Sequence, residues 1–357
     1  MNKKLGIALA LAIVLVAPAV FYPVFLMKLL CFALFACAFN LLIGFTGLLS
    51  FGHAAFFGGA GYIAAHALKE WGLPFELGLL AGVAVAATIG LLMGALAIRR
   101  QGIYFTMITL ALAQMVFFGF SQAPFAGGED GLQAVPRGRL FGMIDLANDL
   151  TLYYVVLAIA VAGFALILRI IHSPFGQVLK AVKENEPRAI SLGYDVNRYK
   201  LLAFVLSAAL SGLAGGMKAA VLGFATLVDV HWAMSGTVVL MTLVGGLGTI
   251  AGPVVGAIVI IGLENKLGDI GNWLAVASGV EWFRTIGESV TIVTGFIFIV
   301  CVLAFRRGIV GELAAWLAAR RQAPTAAAAE TPALRVTAVS AAPHPVREKA
   351  HARHASR

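Results

Sequence analysis

A glycine-rich stretch near the amino terminus carries the side chains best placed to do chemistry in an apolar environment. Thr46, Ser50, Gly52 and His53 follow one another closely, with further glycines at 44, 47, 58, 59 and 61. Glycine lets helices pack closely and leaves the backbone accessible where a helix unwinds. A histidine in an apolar segment is costly unless it faces a cavity or a partner. These four residues are therefore candidate lining of a solute pathway. The alternative is a glycine packing face with His53 bonded to a neighbouring carbonyl.

Other polar residues within apolar runs are few. Gln114 is a further pathway candidate, and both Gln114 and Asn40 are expected to form hydrogen bonds between helices. Lys218 is expected to extend to the membrane surface, and Asp229 and His231 to lie in solvent at a span boundary. No series of intramembrane carboxylates appears, which argues against a proton- or sodium-coupled carrier.

The elements that must position these residues are membrane helices. Hydrophobic residues make up 61% of the 357 positions and charged residues 12%. A soluble domain usually carries about 25% charge, so an ordinary water-facing surface cannot be built from this composition. Apolar runs of about 20 residues predict helices rather than barrel strands. The sequence predicts an all-α, polytopic bundle of about ten spans: 5–22, 25–43, 47–67, 77–98, 103–120, 152–171, 200–222, 233–248, 250–266 and 285–305.

Two of these predicted spans are less well defined than the others. The glycines at 245, 246 and 248, followed by Gly252-Pro253, interrupt a single apolar stretch between the eighth and ninth spans. A tight turn between two short helices and a broken or re-entrant pair both fit this pattern.

The distribution of charge predicts the orientation. The net charge is +9, and most basic residues lie in short loops or in the tail, which favours membrane orientation over nucleic-acid binding. With the amino terminus in the cytoplasm, the loop 121–151 with its four acidic residues lies outside, and the loop 172–199 lies inside. The carboxyl terminus is then cytoplasmic too. The sequence thus divides into a transmembrane domain, 1–307, and a basic, Ala/Pro-rich tail, 308–357, expected to be disordered.

The loop 172–199 has a pattern of its own. Ser173-Pro174 is a typical helix start, and Phe175, Val178, Leu179 and Val182 form an apolar stripe at helical spacing. Glu186-Pro187 predicts a second short helix, which Gly193 would close. The loop therefore predicts two short amphipathic helices that could receive movement from a soluble partner, or that simply lie on the bilayer.

Several segments resemble one transporter family. The loop, with Lys183-Glu-Asn-Glu-Pro-Arg-Ala-Ile-Ser-Leu-Gly193, resembles the coupling loop of ATP-binding-cassette (ABC) importer permeases. The segments Gly44–Tyr62, Tyr199–Gly215 and Gly245–Ala257 resemble the branched-chain amino acid permease family. The order of segments is most similar to the "M" type of its two paired permeases.

The resemblance implies a permease subunit of the bacterial inner membrane that moves leucine, isoleucine or valine by alternating access. It also implies a second related permease, two cytoplasmic ABC ATPases and an external solute-binding protein. No phosphate-binding Gly-x-x-x-x-Gly-Lys-Ser/Thr sequence, metal-ligand spacing or nucleophile elbow occurs. ATP and magnesium are therefore expected on the partner ATPase, with no cofactor, metal or catalytic residue on this chain. The residues expected to couple to the ATPase are Lys183, Glu184, Asn185, Glu186, Arg188, Ala189 and Gly193.

Three alternatives remain at this point. Relatives that import urea, short amides or other small carboxylates would look similar in sequence. An autonomous channel or secondary carrier would leave the lever-like loop 172–199 without a role. A membrane scaffold would use the loop to recruit a partner without transporting anything.

Overall fold

The structure is a computed structural model of the chain. It describes residues 12–278, with side chains as far as Leu267, and the short pieces 292–293, 295–296, 299–300, 303, 308–313 and 315–316. The start of the predicted first span, most of the predicted tenth span and the tail after residue 316 lie outside the described residues. The chain divides into two compact units, and the helices and strands of the bundle all belong to the first, residues 1–314.

The described residues are predominantly helical, which confirms the predicted all-α class. Residues 12–16 are helical and lead into a 3₁₀ turn at Ala17–Ala19, before the numbered helices. These are α1 Pro23–Thr46, α2 His53–Lys69, α3 Phe75–Ala97, α4 Ile103–Gln122, α5 Asp149–His172, α6 Pro174–Glu184, α7 Glu186–Ser191, α8 Val196–Leu222, α9 Leu227–Val230, α10 Trp232–Gly245 and α11 Gly252–Ser278.

Five of these helices, α1, α3, α4, α5 and α8, are long and apolar enough to cross a membrane. Of the five, α1 and α8 are the most buried, and α4 is the least buried. The first of them begins at Pro23, whose fixed φ suits a first helical position, and ends at Gly47, which has a φ of 77°. The centre of the bundle is therefore formed by α1 and α8, with α2 packed along α8 and α3 and its Phe57 ring stacked on Phe35 of α1.

Small residues allow α2 and α8 to approach closely. A Cβ atom added at Gly61 would come within 3.3 Å of the Gly215 carbonyl oxygen, and one added at Gly215 would overlap the carbonyl oxygen of Phe57 in α2. Small-residue contacts of this kind are typical of helix pairs in membranes, where close van der Waals packing drives association. The two helices run in the same direction, since His53 lies beside Ser207 and Gly61 beside Gly215.

The predicted third span begins later than expected. Residues 47–52 are not helical, and α2 starts only at His53. We call this interruption the unwound segment (residues 47–52), and the four glycines at 44, 47, 52 and 58 lie in it or flank it. The reason for the difference is local: Gly47 takes a left-handed conformation that ends α1, and the chain needs five more residues to turn back.

The interruption predicted between the eighth and ninth spans is present. Helix α10 ends at Gly245, Gly246 and Gly248 have φ of 121° and 72°, and α11 begins at Gly252. The two helices are unequal rather than both short, since α10 has 14 residues and α11 has 27. The helix of the predicted ninth span extends beyond residue 266, to Ser278.

The two ends of the bundle differ in the segments that cover them. At one end, which we call the loop end, the connection between α5 and α8 consists of α6 and α7. At the opposite, hairpin end, strands Arg139–Leu140 (β1) and Ile144–Asp145 (β2) pair in an antiparallel hairpin. Backbone hydrogen bonds of 2.9 Å in both directions join Leu132 to Ala225, so the connection after α4 is tied to the connection after α8.

Candidate functional site

Hydroxyl side chains satisfy the backbone of the unwound segment. The Ser50 hydroxyl accepts from the Gly52 N–H at 3.1 Å, and the Thr109 hydroxyl accepts from the Phe51 N–H at 3.3 Å. Thr46 closes the end of α1 by donating to the Leu42 carbonyl at 2.5 Å. An unpaired backbone group at membrane depth costs several kcal/mol, so irregular backbone there needs such partners. In this chain the predicted pathway residues Thr46, Ser50 and Gly52 lie together and support this backbone.

The start of α2 is capped from another helix. The Ser235 hydroxyl of α10 accepts from the Ala54 N–H at 2.8 Å, and both residues are buried. The first N–H groups of a helix lack partners within the helix, and a serine oxygen commonly supplies one. Ser235, which is 181 positions from Ala54 in the sequence, therefore acts as the N-cap of α2. Sequence reasoning missed Ser235 and Thr109, because their partners are distant in sequence.

His53 is fully buried and bonded to a hydroxyl rather than a carbonyl. Its Nε2 lies 2.9 Å from the Ser207 hydroxyl, which donates to the Ala38 carbonyl at 2.6 Å. Since the Ser207 proton is used in that way, Ser207 accepts from His53, which places the histidine proton on Nε2. The Nδ1 atom has no hydrogen-bond partner among the described residues. The imidazole therefore joins α1, α2 and α8, and its role in a pathway stays a prediction.

The predictions for the two amide side chains, Asn40 and Gln114, differ in outcome. Asn40 accepts from the Gly248 N–H at 3.0 Å and donates to the Thr249 carbonyl at 2.9 Å. It therefore holds the turn between α10 and α11 against α1, which confirms the predicted hydrogen bonding between helices. Gln114 was expected to do the same, yet its buried Oε1 has no partner in the described part of the chain. The structure therefore does not support the predicted helix-to-helix hydrogen bond of the Gln114 Oε1.

The predictions for Lys218 and Asp229 are wrong. Lys218 does not extend to the surface, and Asp229 is not solvated: they are 6% and 5% exposed and form an ion pair. The short helix α9 brings Asp229 into the bundle, where its backbone packs on Gly58 of α2. The absence of a Cβ at Gly58 permits this close approach. The His231 ring is only partly buried, and it packs on Phe117 with ring centroids 5.3 Å apart.

Buried polar residues form a stripe along α8 that sequence reasoning also missed. Lys200, Ser207, Ser211 and Lys218 recur at intervals of seven, four and seven, which places them on one face of the helix. The Ser211 hydroxyl is buried and unpaired within the described residues, and so is the Tyr62 hydroxyl of α2. The heptad-like spacing of polar residues in an apolar helix was the signal that could have revealed this stripe.

The loop 172–199 folds as predicted. Ser173 caps α6 by accepting from the Gly176 N–H at 3.3 Å, and Pro174 is the first helical residue. Asn185 caps α7 by accepting from the Arg188 N–H at 3.0 Å. Gly193 has a φ of 87° and closes α7 by donating to the Ile190 carbonyl at 2.9 Å. Both short helices and their stop signals are therefore confirmed.

One face of the loop is attached to the central helices. The Lys183 ammonium donates to the Gly44 carbonyl near the end of α1 at 2.7 Å, a favourable position for a cation. The Glu186 carboxylate accepts from Lys200 of α8 at 2.7 Å, and Lys200 is 3% exposed. Ala189 is buried against Val182 and Val196. Lys183, Glu186 and Ala189, predicted to meet the ATPase, thus contact the membrane helices of this chain.

The opposite face of the loop is open. Glu184, Asn185 and Arg188 are exposed, and so are three large apolar side chains that follow them, Ile190 (58%), Leu192 (69%) and Tyr194 (42%). Three exposed apolar side chains close together at a helix end are a common feature of protein interaction surfaces. We call Ile190, Leu192 and Tyr194 the apolar ridge of the loop.

Comparison with known proteins identifies the family. The family model described as the branched-chain amino acid transport system permease component matches residues 24–303. The high-affinity branched-chain amino acid transport system permease protein LivM of Escherichia coli is 28% identical over 263 residues, 67% of this chain and 62% of that protein. The chain thus spans less than two thirds of the length of this relative.

Two further similarities are weaker. The autoinducer 2 import system permease protein LsrC of Klebsiella pneumoniae is 30% identical over 192 residues, 52% of this chain and 53% of that protein. A solved structure, PsaBC from Streptococcus pneumoniae in complex with Fab, covers 82% of this chain and 95% of that chain at 18% identity, with a TM-score of 0.41. A structural likeness of that size carries no argument about the fold. Because the family model covers most of its length, the chain belongs to the branched-chain amino acid transport system permease family.

Proposed function

We propose that this chain is the permease subunit of an ABC importer that moves branched-chain amino acids across the inner membrane. The observation that carries the proposal is the two-sided loop 172–199. Its inner face is attached to α1 and α8 through Lys183 and Glu186, and its outer face presents the apolar ridge. A loop built in this way suits a soluble motor that must move buried helices, since both attachments are to the centre of the bundle.

The partners follow from this assignment. The loop end faces the cytoplasm, where Lys180, Lys183 and Arg198 satisfy the positive-inside rule. Two ABC ATPases carry ATP and magnesium, since this chain has no phosphate-binding motif, and one of them binds the apolar ridge. A second, related permease completes the pathway, and a solute-binding protein delivers substrate at the hairpin end. The full transmembrane domain has about ten spans, with the start of the first and most of the tenth beyond the described residues, and both termini lie in the cytoplasm.

The pathway residues follow from the same proposal. Thr46, Ser50, Gly52, His53 and Gln114 remain the candidates for the lining of the pathway. The unpaired Nδ1 of His53 and Oε1 of Gln114 support a polar route, since a buried unpaired atom needs a water, ligand or partner chain.

Branched-chain amino acids are the proposed cargo because the family description and the LivM relatives name them. Another small polar solute is the alternative cargo, because the LsrC relative is named for the import of a different solute, autoinducer 2. Urea and short amides are therefore the competitors to include when uptake is measured.

The assembly is tested by purifying the tagged chain from its own host in mild detergent and identifying co-purified proteins by mass spectrometry. We expect a P-loop ATPase and a second permease with the wild-type chain. The double variant Ile190→Asp/Leu192→Asp should lose the ATPase and keep the permease, because charges replace the apolar ridge. Met143→Asp is the matched control, since Met143 is 90% exposed but lies on the hairpin at the opposite end.

Two results would contradict the proposal. Recovery of the wild-type chain alone, under conditions that preserve other membrane complexes of the same host, would favour an autonomous carrier. Undiminished ATPase recovery with the ridge variant would show that the ATPase binds elsewhere.

A further inference from the structure

Helix α8 carries a buried lysine in an ion pair at each of its ends. At the loop end Lys200 pairs with Glu186 of α7, and at the hairpin end Lys218 pairs with Asp229 of α9. Among the described residues, the charged ones that are buried are Lys200, Lys218 and Asp229. A charge removed from water is stable only when a partner compensates it, so each pair fastens its segment to α8.

The two lysines lie on the same face of the helix. They are 18 positions apart, which is five turns of an α-helix and a distance of about 27 Å along its axis. That distance is close to the thickness of the hydrocarbon core of a bilayer, about 30 Å. One helix therefore reaches from the loop 172–199 to the segment 223–231 (the hairpin-end segment), with a fixed attachment at each end.

The helix between the two lysines is continuous. Residues 196–222 form an unbroken α-helix without proline, and the polar residues between the lysines stand on the same face. Sharp helix kinks occur at proline, at Gly/Ser pairs, at bulges or at inserted side chains. The pairs Ser211-Gly212 and Gly215-Gly216 lie within α8, but Gly212 packs against Ala86 and Gly215 against Phe57, so the neighbouring helices restrict bending there. A displacement at one end of α8 is therefore carried to the other end with little loss.

The hairpin-end segment contacts two other parts of the bundle, so a displacement of α8 can be passed on to them. Ala225 is paired with Leu132 of the loop that follows α4, and the backbone of Asp229 packs on Gly58 of α2. The Thr226 hydroxyl lies 3.4 Å from the carboxylate of Asp229. A movement of Lys218 therefore has direct contacts through which to shift both the segment and the loop bound to it.

We infer that α8 is a rigid transmission element, and that Lys200 and Lys218 are the positioning residues that carry movement of the loop 172–199 to the hairpin-end segment. The inference rests on the proposed importer function and adds the route by which an ATPase on one side acts on the other. Spatial connection alone is weak evidence for coupling, so the test measures movement directly.

The experiment uses the complete transporter, purified through this chain, with its native cysteines replaced by alanine. Spin labels are placed at Val228→Cys in α9 and at Ile103→Cys at the loop end of α4, two exposed positions. Pulsed electron paramagnetic resonance then gives the distance between the labels without nucleotide and with ATP and vanadate. We expect the distance to change on addition of nucleotide when Lys200 and Glu186 are intact.

The unlinked variant Lys200→Met/Glu186→Met removes both charges together, so that neither is left buried alone. We expect it to retain the ATPase and ATP hydrolysis but to lose the nucleotide-dependent distance change. The exchanged variant Lys200→Glu/Glu186→Lys should restore the change, because the ion pair is rebuilt in reverse.

Three outcomes overturn the inference: a full distance change in the unlinked variant, no recovery in the exchanged variant, or no change in the wild-type transporter. A preparation in which no ATPase accompanies the wild-type chain contradicts the proposed function instead. The two failures are therefore distinguishable.

Discussion

A lysine–carboxylate ion pair attaches each end of α8 to a neighbouring segment, and the two pairs differ in how far they are buried. At the loop end the side chain of Lys200 is 4% exposed, whereas that of Glu186 keeps 22%. At the hairpin end Lys218 and Asp229 keep 8% and 7%. Separating charges costs more free energy as water is excluded. The hairpin-end attachment should therefore stay closed throughout the transport cycle, whereas the loop-end attachment can adjust.

The segments that carry these ion pairs also differ in how firmly they are held. The loop carries the apolar ridge and is held to the helices by two lysine contacts, so it can receive a partner and move. The hairpin-end segment is closed by backbone pairing with Leu132 and by packing on Gly58. A rigid end and an adjustable end on one helix suit a chain that receives force at one side of the membrane and delivers it at the other.

Breaking the hairpin-end pair should have the largest effect. Lys218→Met leaves Asp229 buried without its partner, and such a loss typically costs about 3–5 kcal/mol. We expect a large fall in the free energy of unfolding in mixed micelles and a low yield of folded protein. Lys218→Met/Asp229→Leu should recover most of that loss, since no lone charge remains. A double variant as unstable as the single one would show that packing, and not charge, holds the segment.

Breaking the loop-end pair should have a smaller effect. Lys200→Met leaves Glu186 partly in contact with water, so we expect a loss of about 1–3 kcal/mol in the same assay. The comparison of the two ends predicts this order, with Lys218→Met more damaging than Lys200→Met. Equal losses, or the reverse order, would contradict the view that the loop end is the adjustable one.

A substitution at the end of α7 should have a still smaller effect. Gly193→Ala places a side chain at a φ of 87°, with no neighbouring atom within 4 Å of the new Cβ, so only backbone strain of about 1–2 kcal/mol is expected. Gly119→Ala is the matched control, because that glycine lies in α4 with open space around it. It should leave stability unchanged or slightly higher, and a loss equal to that of Gly193→Ala would refute the strain explanation.

The smallest predicted effect concerns the cap on α2. Ser235→Ala removes the acceptor for the Ala54 N–H, a loss of about 1 kcal/mol for a typical cap. Ser211→Ala on α8 removes a buried hydroxyl that has no partner among the described residues, so it should be neutral or stabilising. Thermal unfolding of the two variants in one detergent measures the difference, and a larger loss for Ser211→Ala would mean that an unseen partner holds it.

Local patterns predicted the loop 172–199 well. Ser173-Pro174, Asn185 and Gly193 act on backbone groups within a few residues, so their roles can be inferred from neighbouring sequence. The interruption at Gly246 was predicted for the same reason, as glycine permits backbone conformations that other residues avoid. The family resemblance, based on the order of several such segments, is confirmed by the family model.

Contacts between distant segments were the predictions that failed. Lys218 near the end of an apolar run has the usual features of a lysine that reaches the membrane surface, and only the return of the chain through α9 places Asp229 beside it. The capping of α2 by Ser235 likewise depends on α10 packing against α2. Pairings of this kind are set by the tertiary arrangement, which one sequence does not display.

Leucine accumulation in proteoliposomes tests the central claim most directly. The vesicles would carry the complete transporter in their membrane, with ATP trapped in the lumen and the binding protein added outside. We predict accumulation of radiolabelled leucine that needs hydrolysable ATP and is reduced by valine and isoleucine but not by urea or acetamide. ATP-driven accumulation of urea or an amide in place of leucine would overturn the proposed cargo. Leucine flux that proceeds without the ATPase subunits would contradict the account of this chain as an importer permease.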